Sequence, residues 1–333
     1  MEKEGSKITE EIERKADNIL EAHCFDRNGQ PKEWDGISIT QTETELITEE
    51  MVKRTIDKYN EGKEKELQIE SSMLDETFEN PFTSVNISID EVGVKKQKEN
   101  ERRPNCPRKE DREYVRNTII HVHKGKSEYI LNGLEIIQGI RILIAFLLHN
   151  DLIRKGNLLF FVDGARDLHL AIKSMFGWIP YRIILDWYHL IKKCEMQLSL
   201  GLKNKDIRNQ ILKRVTAYLW VGKIDHAVKE LRAVDEKDIK SPESINRLIG
   251  YFERNRSYIP CYGLRRELGL RISSNRGEKA NDLVVADRQK HNGMSWSKKG
   301  SGALTSIITL HQNNEQDSWI KKREIFFKLK NAA

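Results

Sequence analysis

The sequence predicts an α/β protein in which a mixed β-sheet is covered by helices. Three observations carry that prediction. Residues 85–90 alternate apolar and polar, the period of a half-buried strand. Residues 157–162 and 181–185 are short, nearly continuous apolar runs, the pattern of strands buried on both faces. Helical patterning separates and follows these runs, so the elements come in the order β-β-β-α-β-α-β-α.

Each element has a local cause. Residues 1–80 are densely charged and weakly patterned. Thr48-Glu49-Glu50 is a helix start, a capping hydroxyl followed by acids in the first turn, and predicts a helix over Met51–Tyr59. Gly62 and the Lys and Glu residues after it read as a linker. The region is expected to be mainly helical and of no assignable role, either an appendage that meets a partner or DNA or a poorly ordered arm. The pattern changes at Thr83. Val85, Ile87 and Ile89 alternate with Asn86, Ser88 and Asp90, which predicts a first strand ending at Asp90. A basic, proline-containing loop follows from Lys95 to about Arg112. Tyr114–His123 is a second β-rich run, Lys124-Gly125-Lys126 a turn and Ser127–Leu131 a third strand.

The period then changes. Glu135–Ile153 is apolar on most faces and predicts one buried helix. The 157–162 strand ends at Asp163-Gly164. Arg166–Phe176 predicts a helix stopped by Gly177, and the 181–185 strand ends at Asp186. From Lys192 to Leu268 the patterning is helical throughout, with Leu198, Leu202, Ile211, Leu212, Val215, Leu219, Ala227, Leu231 and Leu248 as buried positions and turns near Gly222 and Ser241-Pro242. A three-strand meander continued by two helix-linked strands is the order of an RNase H-like fold with a five-stranded mixed sheet. The expected divisions are an N-terminal region 1–80, a first part of the core 81–192, an all-helical insertion 193–268 and a last part of the core 269–333.

Bulk composition narrows the function classes. The 333 residues hold 57 Lys and Arg against 51 Asp and Glu, a formal net charge of +6 that is compatible with an anionic partner without requiring one. Cys24, Cys106, Cys194 and Cys261 are scattered with no C-x-x-C pair, which disfavours a zinc ribbon or a disulfide framework and suits a reducing compartment. The N-terminus shows no apolar leader segment. The most apolar stretch, Leu134–Leu148, contains Glu135, Gln138 and Arg141 and is shorter than the roughly 20 residues of a membrane span. The expectation is a cytoplasmic protein with no membrane partner.

The chemistry rests on acids. In the expected sheet the first and fourth strands are parallel neighbours, so Asp90 and Asp163 meet at one sheet rim although they lie 73 positions apart. Two such carboxylates repel unless a cation lies between them, and Mg²⁺ or Mn²⁺ suits oxygen donors. A two-metal site, with ions about 3.5–4 Å apart, needs a third acid. Glu278, at the start of a helix expected over 279–290, is the candidate. Each has a plainer reading: a solvated strand-end acid for Asp90, a turn pair for Asp163-Gly164, a first-turn acid for Glu278. Asp186 and His189 begin the helix after the fifth strand. They read as a helix cap and a packing residue, or as groups lining the same cleft.

Basic residues gather in two places. Lys95, Lys96, Lys98, Arg102, Arg103, Arg108 and Lys109 share their loop with Glu99, Glu101, Glu110 and Asp111, which suits a solvated hairpin loop. Arg276, Lys279, Arg288, Lys290, Lys298 and Lys299 flank Glu278 and are better placed for DNA phosphates. Met294 and Trp296 either buttress DNA or close the core, and the core is the expectation.

The segments FFVDGARDLHLAIKSMFGWIPYRIILDWYHLIKKC and NRGEKANDLVVADRQKHNGMSWSKKGSGAL resemble bacterial insertion-sequence transposases of the DDE class, relatives of the Mutator-like transposases. The likeness spans about Glu76–Leu310. It is carried by Asp163-Gly164-Ala165, Asp186 with His189, Glu278 with Asn281, Arg288 with Lys290, Gly293-Met294 with Trp296, and Asp90 as the first acid. The chain departs from the family in having Ser273-Ser274-Asn275-Arg276-Gly277 where a Gly-Ser-Gly often precedes the glutamate, and residues 1–80 do not obviously supply the family's end-recognition region. The resemblance implies hydrolysis of a DNA phosphodiester and attack of the freed 3′-hydroxyl on target DNA. It implies catalytic Asp90, Asp163 and Glu278 around two Mg²⁺ or Mn²⁺ ions, Asp186, His189 and Asn281 in support, double-stranded DNA as partner and a homo-oligomer on that DNA. The alternatives are an RNase H-like metal nuclease without strand transfer, or a truncated, inactive or domesticated DNA-binding derivative.

Overall fold

The computed structural model describes residues 1–32, 47–70, 84–97, 113–155, 158–274, 279–290 and 294–331. Its centre is a mixed sheet made of β1 (Val85–Lys95), β2 (Tyr114–Lys124), β3 (Ser127–Gly133), β4 (Leu158–Val162) and β5 (Tyr181–Leu185). A two-residue β6 (Lys330–Asn331) adds a sixth, short strand beside β3, which the sequence did not signal. The order across the sheet is β5-β4-β1-β2-β3-β6. β1, β4 and β5 run parallel to one another, and β2 and β3 complete an antiparallel meander with β1.

One sheet face carries Val85, Ile87, Ile89, Ile120, Val122, Phe160 and Val162, all buried. It packs on α3 (Ile136–His149) and α5 (Arg166–Phe176). The expected single helix over 135–153 is broken: α3 ends at His149, Asp151 adopts a left-handed φ of 52°, and α4 (Leu152–Lys155) starts afresh. A lone residue in that conformation reverses the chain and ends the helical hydrogen-bond ladder.

α1 (Glu2–Ala22) corrects the expectation of an appendage or loose arm at the N-terminus. Ile8, Ile12, Ala16, Ile19 and Leu20 recur at helical spacing and are buried in the same core as α3. Gly5 sits so close to Ala303, in the helix over Lys298–Gln312, that a Cβ there would lie 2.2 Å from the Ala303 carbonyl oxygen. α2 (Glu49–Asn60) starts where expected, with the Thr48 hydroxyl accepting from Met51 N–H at 3.2 Å. The stretch expected as linker contains a 3₁₀ turn, Lys65–Leu67.

The other face divides into two regions. Over β4 and β5, Leu159, Phe161 and Ile184 meet α6 (Trp187–Gly201), α7 (Lys205–Trp220), α8 (Ile224–Arg232) and α9 (Pro242–Arg254), followed by α10 (Tyr262–Glu267). Of the core positions expected there, all are buried except Leu212, which is half-buried. Over β1 and β2, Val92, Val94, Val115 and Ile119 meet Ala280 and, in α11, Val284 and Val285; α11 is a π-helical segment Asp282–Ala286 continued by Asp287–Gln289. α12 (Lys298–Gln312) lies beside it and is hydrogen-bonded to the sheet, Asn117 to Ser301 at 2.9 Å and Asn132 to Ser306 at 3.1 Å. α13 (Gln316–Lys322) closes the chain before β6. Among the described residues no helix is long and apolar enough to cross a membrane.

Candidate functional site

Register brings the first two acids together. The parallel β1–β4 ladder pairs Val85 with Leu158 and ends with Ser88 opposite Phe161. Asp90 and Asp163 each lie two residues beyond that last pair, so they stand side by side on one face at the rim. One correction is needed: β1 does not stop at Asp90. It continues to Lys95 because β2 keeps pairing with it, Asp90 opposite Ile119 and Lys95 opposite Tyr114. Asp90 is therefore mid-strand, at the point where β1 loses its parallel neighbour but keeps its antiparallel one.

Asp163 ends β4 at a sharp turn. Its Oδ1 accepts from Ala165 N–H at 2.8 Å, and Gly164 adopts φ +83°. A side chain at 164 would meet the Tyr251 hydroxyl at 2.7 Å, so both conformation and space call for glycine. The same hydroxyl donates to the Asp163 carbonyl at 2.8 Å, a tie from α9 that no sequence pattern announced.

Asp90 and Asp163 line one small pocket of about 10 Å³ with Ser88, Phe161, His189, Ser274 and Asn281. That is room for about one water or a monatomic ion, not for a base or sugar. Asn281 Nδ2 donates to Asp90 Oδ2, and Glu91 N–H donates to Asp90 Oδ1 at 2.8 Å. Burial raises the pKa of Asp90. His189 opposes that shift, the neighbouring Asp163 adds to it, and the Glu91 N–H and Lys290 oppose it in turn.

Asp186 has the plainer of its two expected roles. It is fully buried and is not among the groups lining the pocket. Its Oδ1 caps α6, accepting from Tyr188 N–H at 2.8 Å and His189 N–H at 3.2 Å, while Oδ2 accepts from Ser274 N–H. Trp187 N–H in turn donates to the Ile272 carbonyl at 3.1 Å. Asp186 thus fastens the 272–274 segment to the start of α6 and so places Ser274, and His189 one turn on, at the pocket.

Glu278 and Arg276 lie outside the described residues, as do Lys98, Arg102, Arg103, Arg108 and Lys109 of the basic loop. Among the described residues no group of three His, Cys, Asp or Glu is arranged to hold a metal ion. Lys279, Arg288 and Lys290 are exposed on the helix that carries Asn281. Lys298 is exposed too, but it pairs with Glu135 at 2.6 Å. Trp296 packs beside Val284 and its backbone pairs with Lys95, Trp296 N–H to the Lys95 carbonyl at 2.8 Å. Met294, expected in the core, is exposed.

Ser88, Ser274 and Tyr251 were missed as site residues. Ser88 had a signal, because it shares a strand face with Asp90 at a spacing of two. The other two are set by tertiary packing.

In comparison with known proteins, the chain matches no family model, no curated protein and no solved structure.

Proposed function

We propose that this chain is a metal-dependent phosphoryl-transfer enzyme acting on DNA, built on an RNase H-like core and working as a transposase of the DDE class. The observation that carries the proposal is the convergence of Asp90 and Asp163, from neighbouring parallel strands, on one pocket with His189 and Asn281. The sheet order and the antiparallel β1–β2–β3 meander support the RNase H-like assignment.

The donor set fits a hard divalent cation. Two carboxylates share a slot of ionic size, and the burial and mutual repulsion that raise the Asp90 pKa would be relieved by a positive charge between them. Asp90 and Asp163 would hold Mg²⁺ or Mn²⁺, and Glu278, three residues before Asn281, is the proposed third ligand. A bound cation would supply Lewis-acid activation of a phosphodiester and of the attacking oxygen.

The chain's own groups do the positioning. Strand backbone fixes both aspartates before substrate arrives, which is where most of the acceleration of phosphoryl transfer originates. Asn281 orients the Asp90 carboxylate through its Nδ2. His189, on the first turn of α6, faces the same slot and is near enough to favour the charged form of Asp90. Lys279, Arg288 and Lys290, exposed on the helix that carries Asn281, are proposed to contact DNA phosphates.

The test uses supercoiled plasmid with Mg²⁺ or Mn²⁺ and then a labelled 3′ end with a second DNA. Wild type is expected to nick the plasmid and to join the labelled end, and Asp163→Ala to do neither while remaining folded. Nicking without joining would reduce the assignment to a nuclease, and nicking by Asp163→Ala would overturn it.

A further inference from the structure

Beside the small carboxylate pocket lies a second, larger cleft of about 600 Å³, within the roughly 300–1,000 Å³ that hold organic ligands. Asp90 and Asp163 stand at one end of it. Glu91, Gly93, Tyr114, Arg116, Ala165 and Leu168 form the rest. It exists because β1 and β2 run on past the end of β4. Glu91, Gly93, Arg116 and Tyr114 continue the sheet face that α3 and α5 cover lower down, and here, among the described residues, Ala165 and Leu168 at the start of α5 complete the lining.

Two features show what this cleft would accept. The first is shape. Tyr114 is 55% exposed and its ring lines the cleft. It leans over Gly93, where an added Cβ would touch the Tyr114 Cβ and Cδ1 at 3.7 Å and nothing nearer. A glycine inside a strand weakens it and often marks the place where a ligand approaches the backbone. Neither a left-handed φ nor a steric clash calls for glycine at 93. The second feature is charge. Arg116 is the only cation lining the cleft among the described residues, and it faces Glu91 at 3.5 Å. Away from Asp90 and Asp163 the described lining is therefore neutral overall, with a ring, a bare backbone stretch and Leu168 as its surfaces. Such a lining suits a flat, uncharged group and not a run of phosphates.

We infer that this cleft seats an unpaired nucleobase of the DNA strand whose phosphate lies at Asp90 and Asp163, stacked on Tyr114 above Gly93. The inference rests on the DNA-processing assignment above and adds a substrate requirement to it: the reacting strand is frayed or flipped at the nucleotide next to the scissile phosphate. Stacking on a tyrosine tolerates any base, so Tyr114 positions the strand without reading its sequence.

Binding can be read without chemistry. The probe is a single-stranded oligonucleotide of alternating thymidine and 2-aminopurine, with Ca²⁺ in place of Mg²⁺, so that a fluorescent base meets the cleft in any register. Wild type is expected to bind it and to quench its fluorescence by stacking. Tyr114→Ala should bind about 5- to 100-fold more weakly, the worth of one base–aromatic stack, and lose the quench. Tyr114→Phe should retain both. Gly93→Val removes no group and favours the strand, yet it fills the cleft, so it should bind as poorly as Tyr114→Ala while its circular dichroism and melting temperature hold. Wild-type affinity and quench in both Tyr114→Ala and Gly93→Val overturn the inference. If those variants also nick plasmid like wild type, the cleft assignment fails and the DNA-processing assignment stands. If wild type neither binds the oligonucleotide nor nicks plasmid, both fail.

Discussion

Replacing Asp186 by alanine should cost about 2–4 kcal/mol of folding stability, more than most surface changes in a protein of this size. The figure has two parts. Asp186 Oδ1 caps α6 through the Tyr188 and His189 N–H groups, and loss of such a cap costs about 1 kcal/mol. Its Oδ2 accepts from the Ser274 N–H, and Ser274 is buried, so that donor is left unsatisfied at about 1–3 kcal/mol. Asp186→Asn separates the parts. The amide keeps an oxygen for the cap but turns a donor toward Ser274, so it should lose mainly the second, about 1–3 kcal/mol. Urea unfolding followed by tryptophan fluorescence measures both variants, with an unchanged m-value confirming that only stability moved. Amide exchange at Ser274 should accelerate in both. An Asp186→Ala protein within about 0.5 kcal/mol of wild type would refute the assignment of Asp186 as the fastener between α6 and the 272–274 segment.

Other outcomes follow from the same contacts. Burial raises the Asp90 pKa, so in the metal-free protein the folded state holds this proton more tightly than the unfolded chain does. Stability therefore falls as pH rises from the ordinary carboxyl range through the raised value. Asp90→Asn should remove that fall and stabilise the metal-free protein at neutral pH, read as a flatter profile of melting temperature against pH; a profile identical to wild type would contradict it. Gly164→Ala puts a Cβ at a φ of +83° and within 2.7 Å of the Tyr251 hydroxyl. It should lose about 2–4 kcal/mol by denaturant melting and shift Asp163 out of the pocket. Gly5→Ala gains about 1 kcal/mol of helix propensity but forces α1 away from the Ala303 carbonyl, 2.2 Å from the new Cβ. The clash is between two backbones and should win, for a net loss of about 1–2 kcal/mol by thermal unfolding.

How far the sequence foretold this molecule differs by element. β1, β4 and β5 were legible because the period of two and the apolar runs express burial directly, and the strand order placed Asp90 and Asp163 together. The end of β1 was not legible. Past Asp90 its partner is β2 alone, and pairing between remote segments leaves no mark in local periodicity. α1 had a signal, Ile8, Ile12, Ala16, Ile19 and Leu20 at helical spacing, but the charges around them hid it. For Asp186 the sequence offers a helix cap or a cleft residue; the cap bonds to Tyr188 and His189 are local, whereas the Ser274 contact across 88 positions leaves no mark in the sequence. Tyr251 and Ser274 reach the site through helices and loops whose local sequence concerns their own packing. Gly93 and Tyr114 were unremarkable as residues and became informative only when the cross-strand register set them beside the acids.

The central claim is that Asp90 and Asp163 share a cation, and Mn²⁺ binding to the purified protein, followed by electron paramagnetic resonance, tests it without requiring any DNA chemistry. Wild type should bind Mn²⁺, and Asp90→Asn and Asp163→Asn should each weaken binding by roughly tenfold or more, at least the loss that even an outer-shell substitution produces at a metal site. Mn²⁺ bound by Asp163→Asn with wild-type affinity would contradict the account.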